Sequence, residues 1–172
     1  MRILFTLDAK NYEPDAPLNI RPSIRGIIIR DGKILMVHSR KYDYYKFPGG
    51  GLEPGESHVT ALCREVREES GYAAVPESIR AYGLVPRRER DDDGTTFVQD
   101  NFYYLCDIDR TVGQDLDDYE AEEGFTPEWV EPRHAIETNL SHDHYGKESP
   151  MFPREAGVLK CLLDEGFFET AD

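Results

Sequence analysis

The chain has 172 residues, enough for one domain with a sizeable buried core, and it reads as a single domain over residues 1–172. Its 34 acidic against 20 basic side chains give a formal charge of −14, which excludes long-range attraction to a nucleic-acid backbone or an anionic membrane unless cations intervene. An apolar content of 39 %, with 10 Tyr and 8 Phe, excludes a disordered composition.

The opening MRILFTLDAK holds a five-residue apolar run before Asp8, too short for the hydrophobic region of a signal peptide. No later stretch approaches the roughly 20 apolar residues of a membrane span. Cys63, Cys106 and Cys161 are odd in number and far apart, which argues against a disulfide framework or a paired-thiolate zinc site. They fit a reducing, cytoplasmic setting, each as a small buried apolar residue.

Residues 3–7 read as a short strand, and residues 10–23, with Pro14, Pro17 and Pro22, as an irregular surface connection. Residues 24–30 and 33–39 are β-branched and apolar runs joined by Asp31-Gly32, a strong hairpin signal. Residues 42–47 form an aromatic strand closed by Pro48 and three glycines. Ser57 is suited to cap a helix that stops at Gly71. Helical stepping places Val59, Leu62, Cys63 and Val66 on one apolar face, with Glu65, Glu68 and Glu69 on the arc beside it. Like charges so spaced oppose a helix by about 0.2–0.5 kcal/mol per pair, so a cation is expected among them.

Residues 79–89 and 95–108 are long strand candidates joined at an acidic turn, Asp91 to Gly94. Residues 115–124 read as a solvated acidic loop, residues 126–130 with Trp129 as a last strand, and Pro132 as the start of a short helix through Ile136. Ala156, Val158, Leu159, Leu162 and Leu163 give residues 153–165 the pattern of an amphipathic helix. Strands interspersed with two or three helices imply an α/β or α+β sandwich.

Five residues separate Gly50 from Glu56, seven separate Glu56 from Arg64, and Glu65, Val66, Arg67, Glu68, Glu69, Ser70, Gly71 and Tyr72 follow. Over these 23 residues the chain resembles the Nudix hydrolases at every fixed position of their signature. The resemblance implies an α/β fold, an αβα sandwich with a central mixed β-sheet. It also implies hydrolysis of a diphosphate linkage in a nucleoside diphosphate derivative, such as a nucleoside triphosphate or ADP-ribose, with Mg2+ as cofactor and Mn2+ as a substitute.

By the same resemblance Glu68 and Glu69 are the main metal ligands, the Gly49 carbonyl adds a ligand from the turn, and Glu65 binds a further ion or acts as base. Arg64 orients these glutamates, and Glu56 is a supporting or alternative ligand. Hard divalent cations take oxygen ligands while holding substrate phosphates, which agrees with carboxylates on one helical face. The glycines let backbone approach closely where a side chain would obstruct.

Family members often carry a basic residue before the glycine turn that contacts phosphate, and Arg40 or Lys41 stands there. Arg87, Arg88 and Arg90 either line a phosphate pocket, Arg88 being the one carried forward, or balance Asp91 to Asp93. Tyr42, Tyr44 and Tyr45 either stack on a base or pack in the core. Glu120, Glu122 and Glu123 are candidates for a late-chain acidic ligand, and His142-Asp143-His144 for a separate metal pair. Pro86 resembles a marker of ADP-ribose hydrolysis but equally suits an edge strand.

The expected partner is a small-molecule nucleoside diphosphate derivative, with no nucleic-acid polymer and no membrane; a homodimer is compatible. The alternative function is a Nudix-like sensor that binds a nucleotide without turnover, whose mark would be loss of motif glutamates, and all four are present. An isoprenoid-diphosphate isomerase would need further catalytic residues that the chain does not reveal.

Overall fold

In the computed structural model, which describes residues 1–141 and 143–169, the apolar run of residues 24–30 divides between two sheets instead of forming one strand. Its first half, β3 (Ser23–Ile27), lies parallel to a long strand, while its end, β4 (Ile29–Arg30), turns into a hairpin with β5 (Lys33–Ser39). Asp31 and Gly32 both take positive φ, 51° and 72°, as a tight hairpin turn requires. The run is a hinge between sheets because Ile27 and Ile28 carbonyls bond in opposite directions, to the amides of Cys106 and Leu35.

The larger sheet is mixed. Its centre is the antiparallel pair β8 (Arg80–Arg90) and β9 (Thr96–Leu105). β1 (Leu7–Asp8) lies parallel to β8, and Ile3 reaches Leu84 only through an isolated bridge, so the strand expected over residues 3–7 is mostly absent as a ladder. β2 (Leu18–Ile20) lies parallel to β9 inside the segment expected to be irregular. The second sheet sets β5 between β11 (Phe125–Val130) on one side and β4 with β6 (Tyr44–Lys46) on the other. A small pair, β7 (Tyr72–Ala74) with β10 (Ile108–Thr111), ends the run expected to continue through residue 108.

Alternation along the strands separates two cores. Ile24, Ile28 and Leu35 pack with α1 (His58–Ser70) through Ala61, Leu62 and Val66. Ile27, Ile34, Met36 and Phe47 pack with α3 (Pro132–Ser141) and α4 (Met151–Asp164) through Ala135, Val158, Leu159 and Leu162. Helices thus cover both faces of the strands, as an αβα sandwich. Each fully buried Leu, Ile or Val contributes about 1.5–3 kcal/mol relative to exposure.

Ser57 caps α1 by accepting the Thr60 amide at 3.1 Å, and Gly71 closes it in the left-handed region at φ 71°. The apolar face differs from expectation: Val59 is exposed, and Glu65 and Glu69 are buried beside Leu62 and Val66. The acidic run of residues 115–124 is not a loop throughout. Asp117 donates its amide to the Glu120 carboxylate at 2.9 Å, starting α2 (Asp118–Glu123), which ends at Gly124 with φ 67°. No helix among the described residues is long and apolar enough to cross a membrane.

Candidate active site

β6 leads directly into Phe47, Pro48 and the three glycines, a turn whose backbone is held at several points. Pro48 and Gly50 carbonyls accept the amides of Gly26 and Ile24, each at 2.8 Å. The Phe47 amide donates to Glu155 of α4 at 2.7 Å, and the Gly49 amide to Glu69 at 2.8 Å. The Gly49 carbonyl accepts from the Arg25 guanidinium. Gly49 has φ 147°, and a Cβ there would stand 2.0 Å from the Ile24 carbonyl oxygen, so only glycine fits.

Against this turn α1 delivers its glutamates, and the expected cation among them is Arg64. Its Nε and Nη2 hold the two Glu56 oxygens at 2.9 Å each, a bidentate fork. Nη1 reaches Glu65 at 2.7 Å and Glu68 at 3.2 Å, while Nη2 also meets the Gly51 carbonyl at 3.2 Å. Hydrogen bonding to Arg64 holds the Glu56 carboxyl below the usual carboxylate range. Burial pushes Glu65 up, and Arg64 opposes this only in part. A Cβ on Gly50 would lie 2.5 Å from the Glu65 carboxylate, so the turn presses bare backbone on that group.

Glu69 differs from its neighbours. It is 1 % exposed, paired with Lys46 of β6 and bonded to the Gly49 amide. Burial pushes its carboxyl up to about 7, outweighing the opposing pull of Lys46. Lys46 in turn lies 5.0 Å from the centre of the Phe125 ring. Among the described residues no three His, Cys, Asp or Glu side chains stand in a metal-ligating arrangement; the glutamates are turned onto basic side chains.

The basic residues expected at the phosphate have protein partners of their own. Arg40 is exposed and bonds Thr126 at 3.0 Å, Lys41 pairs with Glu122 at 2.5 Å, and Arg88 covers the Tyr12 ring at 5.6 Å. Arg87 pairs with Glu89. Glu120 is engaged by the Asp117 amide and the Tyr119 hydroxyl, and Glu123 by Lys147, Tyr44 and Ser39. Tyr44 and Tyr45 are buried, and Tyr42 lies under Lys147, 4.6 Å from its ammonium. His144 is buried with its ring nitrogens against backbone carbonyls of Tyr42, Asp43 and Asn139, and His142 lies outside the described residues.

Arg25, Lys46 and Glu155 are the charged groups at the turn that sequence reading passed over. Each carried a faint signal: a charge inside a run of isoleucines, a lysine between aromatics, and an acid on the apolar stripe of α4.

A family model described as the NUDIX domain matches residues 20–153, most of the chain. The chain therefore belongs to the NUDIX family. It is similar to an RNA pyrophosphohydrolase of Xanthomonas campestris, 34 % identical over 71 residues, and to one of Stenotrophomonas maltophilia at 32 % over 71 residues. In both cases the match covers 41 % of this chain and 34 % of the relative, so it spans about a third of the relatives' length. Among solved structures, a NUDIX hydrolase from Nitrosomonas europaea superposes with a TM-score of 0.59 at 22 % identity, covering 87 % of this chain and 90 % of that one. The E. coli ORF135 protein superposes with a TM-score of 0.51 at 21 % identity, covering 90 % and 96 %. The fold is that of the family.

Proposed function

We propose that this chain is a pyrophosphohydrolase that cleaves the diphosphate linkage of a nucleoside diphosphate derivative, such as a nucleoside triphosphate or ADP-ribose, with Mg2+ or Mn2+. The observation that carries this reading is the gathering of Glu56, Glu65 and Glu68 on one guanidinium beside a bare glycine turn. Three carboxylates against Arg64 leave two negative charges where ionised, which matches a divalent cation. All the donors are hard oxygens, as Mg2+ prefers, and Gly50 leaves room for nothing but backbone against Glu65. The donor chemistry therefore suits the group, which would take the carboxylates from the basic side chains that hold them now.

Glu68 and Glu69, with the Gly49 carbonyl, would hold the cation, and Glu56 would steady Glu65 and Glu68 through Arg64. When bound there, Mg2+ offsets the charge of the diphosphate and acidifies a water molecule. In the reaction, an oxygen–phosphorus bond forms from water and the bridging phosphorus–oxygen bond breaks. Glu65, whose proton affinity is raised by burial, is suited to take the proton. Arg64 keeps it aimed at the turn.

The names of the curated relatives favour a second substrate, RNA carrying a 5′ pyrophosphate group, although the net charge of −14 disfavours a long polyanion. A panel of nucleoside triphosphates, ADP-ribose, dinucleoside polyphosphates and 5′-triphosphorylated RNA, each with Mg2+ or Mn2+, tests the reading through release of phosphate, pyrophosphate or nucleotide. Turnover of a small nucleotide is expected. Tight nucleotide binding without turnover of any substrate would overturn it in favour of a sensor.

A further inference from the structure

We propose that Arg25 is a positioning residue that fixes the direction of the Gly49 carbonyl for ligand binding, an inference that rests on the metal-dependent reading above. β3 is buried along its whole length, and Arg25 is its one charged residue, 8 % exposed. Its neighbours Ile24, Gly26 and Ile27 pack into the two cores. Its guanidinium donates to the Gly49 carbonyl, while its Nε is buried with no hydrogen-bond partner. An unpaired buried donor costs about 1–3 kcal/mol. An apolar side chain in that place would avoid this cost but would leave the Gly49 carbonyl without its donor and buried Glu155 without one of the two guanidinium charges that favour its ionised form.

What Arg25 does hold is one peptide group. Glu69 takes the Gly49 amide and Arg25 takes the Gly49 carbonyl, so the peptide units on either side of Gly49 are clamped by opposite charges from α1 and β3. Glycine at φ 147° has no side chain to resist rotation, and the clamp supplies that resistance. Arg64 gathers the glutamates from the solvent side, and Arg25 aims the backbone from the interior.

The test compares the parent with Arg25→Met and Arg25→Lys, each first shown to be folded by far-UV circular dichroism. Mn2+ affinity is read by electron paramagnetic resonance, and hydrogen exchange of the segment 47–51 is followed without metal. In Arg25→Met the Gly49 and Gly50 amides should exchange faster, and Mn2+ affinity and kcat should fall about 10–100-fold with KM for nucleotide unchanged. Arg25→Lys, which restores one donor, should recover part of both. Parent-like exchange and Mn2+ affinity in folded Arg25→Met would overturn the proposal. Should Arg25→Met not fold, Arg25→Gln is judged by the same two readouts. Should the parent neither bind Mn2+ nor turn over any nucleotide, the functional reading falls and the ligand-positioning role of Arg25 falls with it, whereas Mn2+ binding in the parent with unchanged affinity in Arg25→Met overturns the role of Arg25 alone.

Discussion

Lys46 and Glu69 form an ion pair from which water is almost excluded, the two side chains being 8 % and 1 % exposed. The pair joins β6 to α1 across the glycine turn, so both sides of the turn move as one body. Removing one partner strands the other charge in the interior. Lys46→Met should therefore cost about 3–5 kcal/mol in urea unfolding. Adding Glu69→Gln to Lys46→Met should return part of that loss, and a double variant less stable than Lys46→Met alone would contradict this account.

Acidity should affect the buried glutamates Glu69 and Glu155 in opposite senses. Glu69, raised from its ordinary 4.5 to about 7, binds a proton more tightly in the folded state, so its contribution is fully present below pH 4.5 and is lost as pH rises through about 7. Glu155 is lowered: burial pushes it up, but the guanidinium groups of Arg154 and Arg25 prevail. Its contribution is present above its ordinary value of 4.5 and is lost as pH falls below it. Unfolding free energies from pH 3 to pH 8 in EDTA, for parent, Glu69→Gln and Glu155→Gln, measure both slopes; each slope should vanish only in its own variant.

Catalysis should depend on Glu68, held by Arg64, and on Glu69, held by Lys46. Glu68→Gln and Glu69→Gln are each expected to lower the rate at least roughly 10²-fold, since each would remove a carboxylate from the proposed metal site. Full activity in both would sink the ligand assignment.

Arg64→Lys should also fail to substitute. A lysine ammonium cannot grip Glu56 with two parallel N–H groups while reaching Glu65 and Glu68. A loss of about 10–100-fold in kcat or metal affinity is expected, with α1 still folded by circular dichroism.

At the turn itself, Gly49→Ala places a methyl group 2.0 Å from the Ile24 carbonyl and forces a left-handed strain. It should cost about 1–3 kcal/mol in thermal or urea unfolding and reduce activity with it. Gly55→Ala, whose Cβ would meet nothing within 4 Å, is the control for backbone strain alone.

The parts of this molecule that were legible in sequence are those written in local code. The motif from Gly50 to Tyr72, the Ser57 and Gly71 caps and the Asp31-Gly32 turn each depend on residues a few positions apart, and all three occur as read. The helix at α2 escaped that reading: its caps, Asp117, Glu120 and Gly124, sit in a run whose charged composition reads as a solvated loop. The pairing of Glu155 with Phe47 and of Arg25 with Gly49 joins distant elements, and no periodicity announces it. In the same way Arg40 and Lys41 bond Thr126 of β11 and Glu122 of α2, partners 86 and 81 positions away. Charge near a motif in sequence is a weak guide when the strand reverses between them.

The bond from Phe47 to Glu155 also sets an order of assembly. Its partners are 108 positions apart, so at ribosomal rates of about 5–20 residues per second the acceptor is made roughly 5–20 s after the donor. During that interval the motif helix and its capping residues can already form, but the peptide entering the glycine turn has no buried acceptor. The nascent chain thus carries its glutamates early and receives the geometry that organises them only once its last helix has emerged.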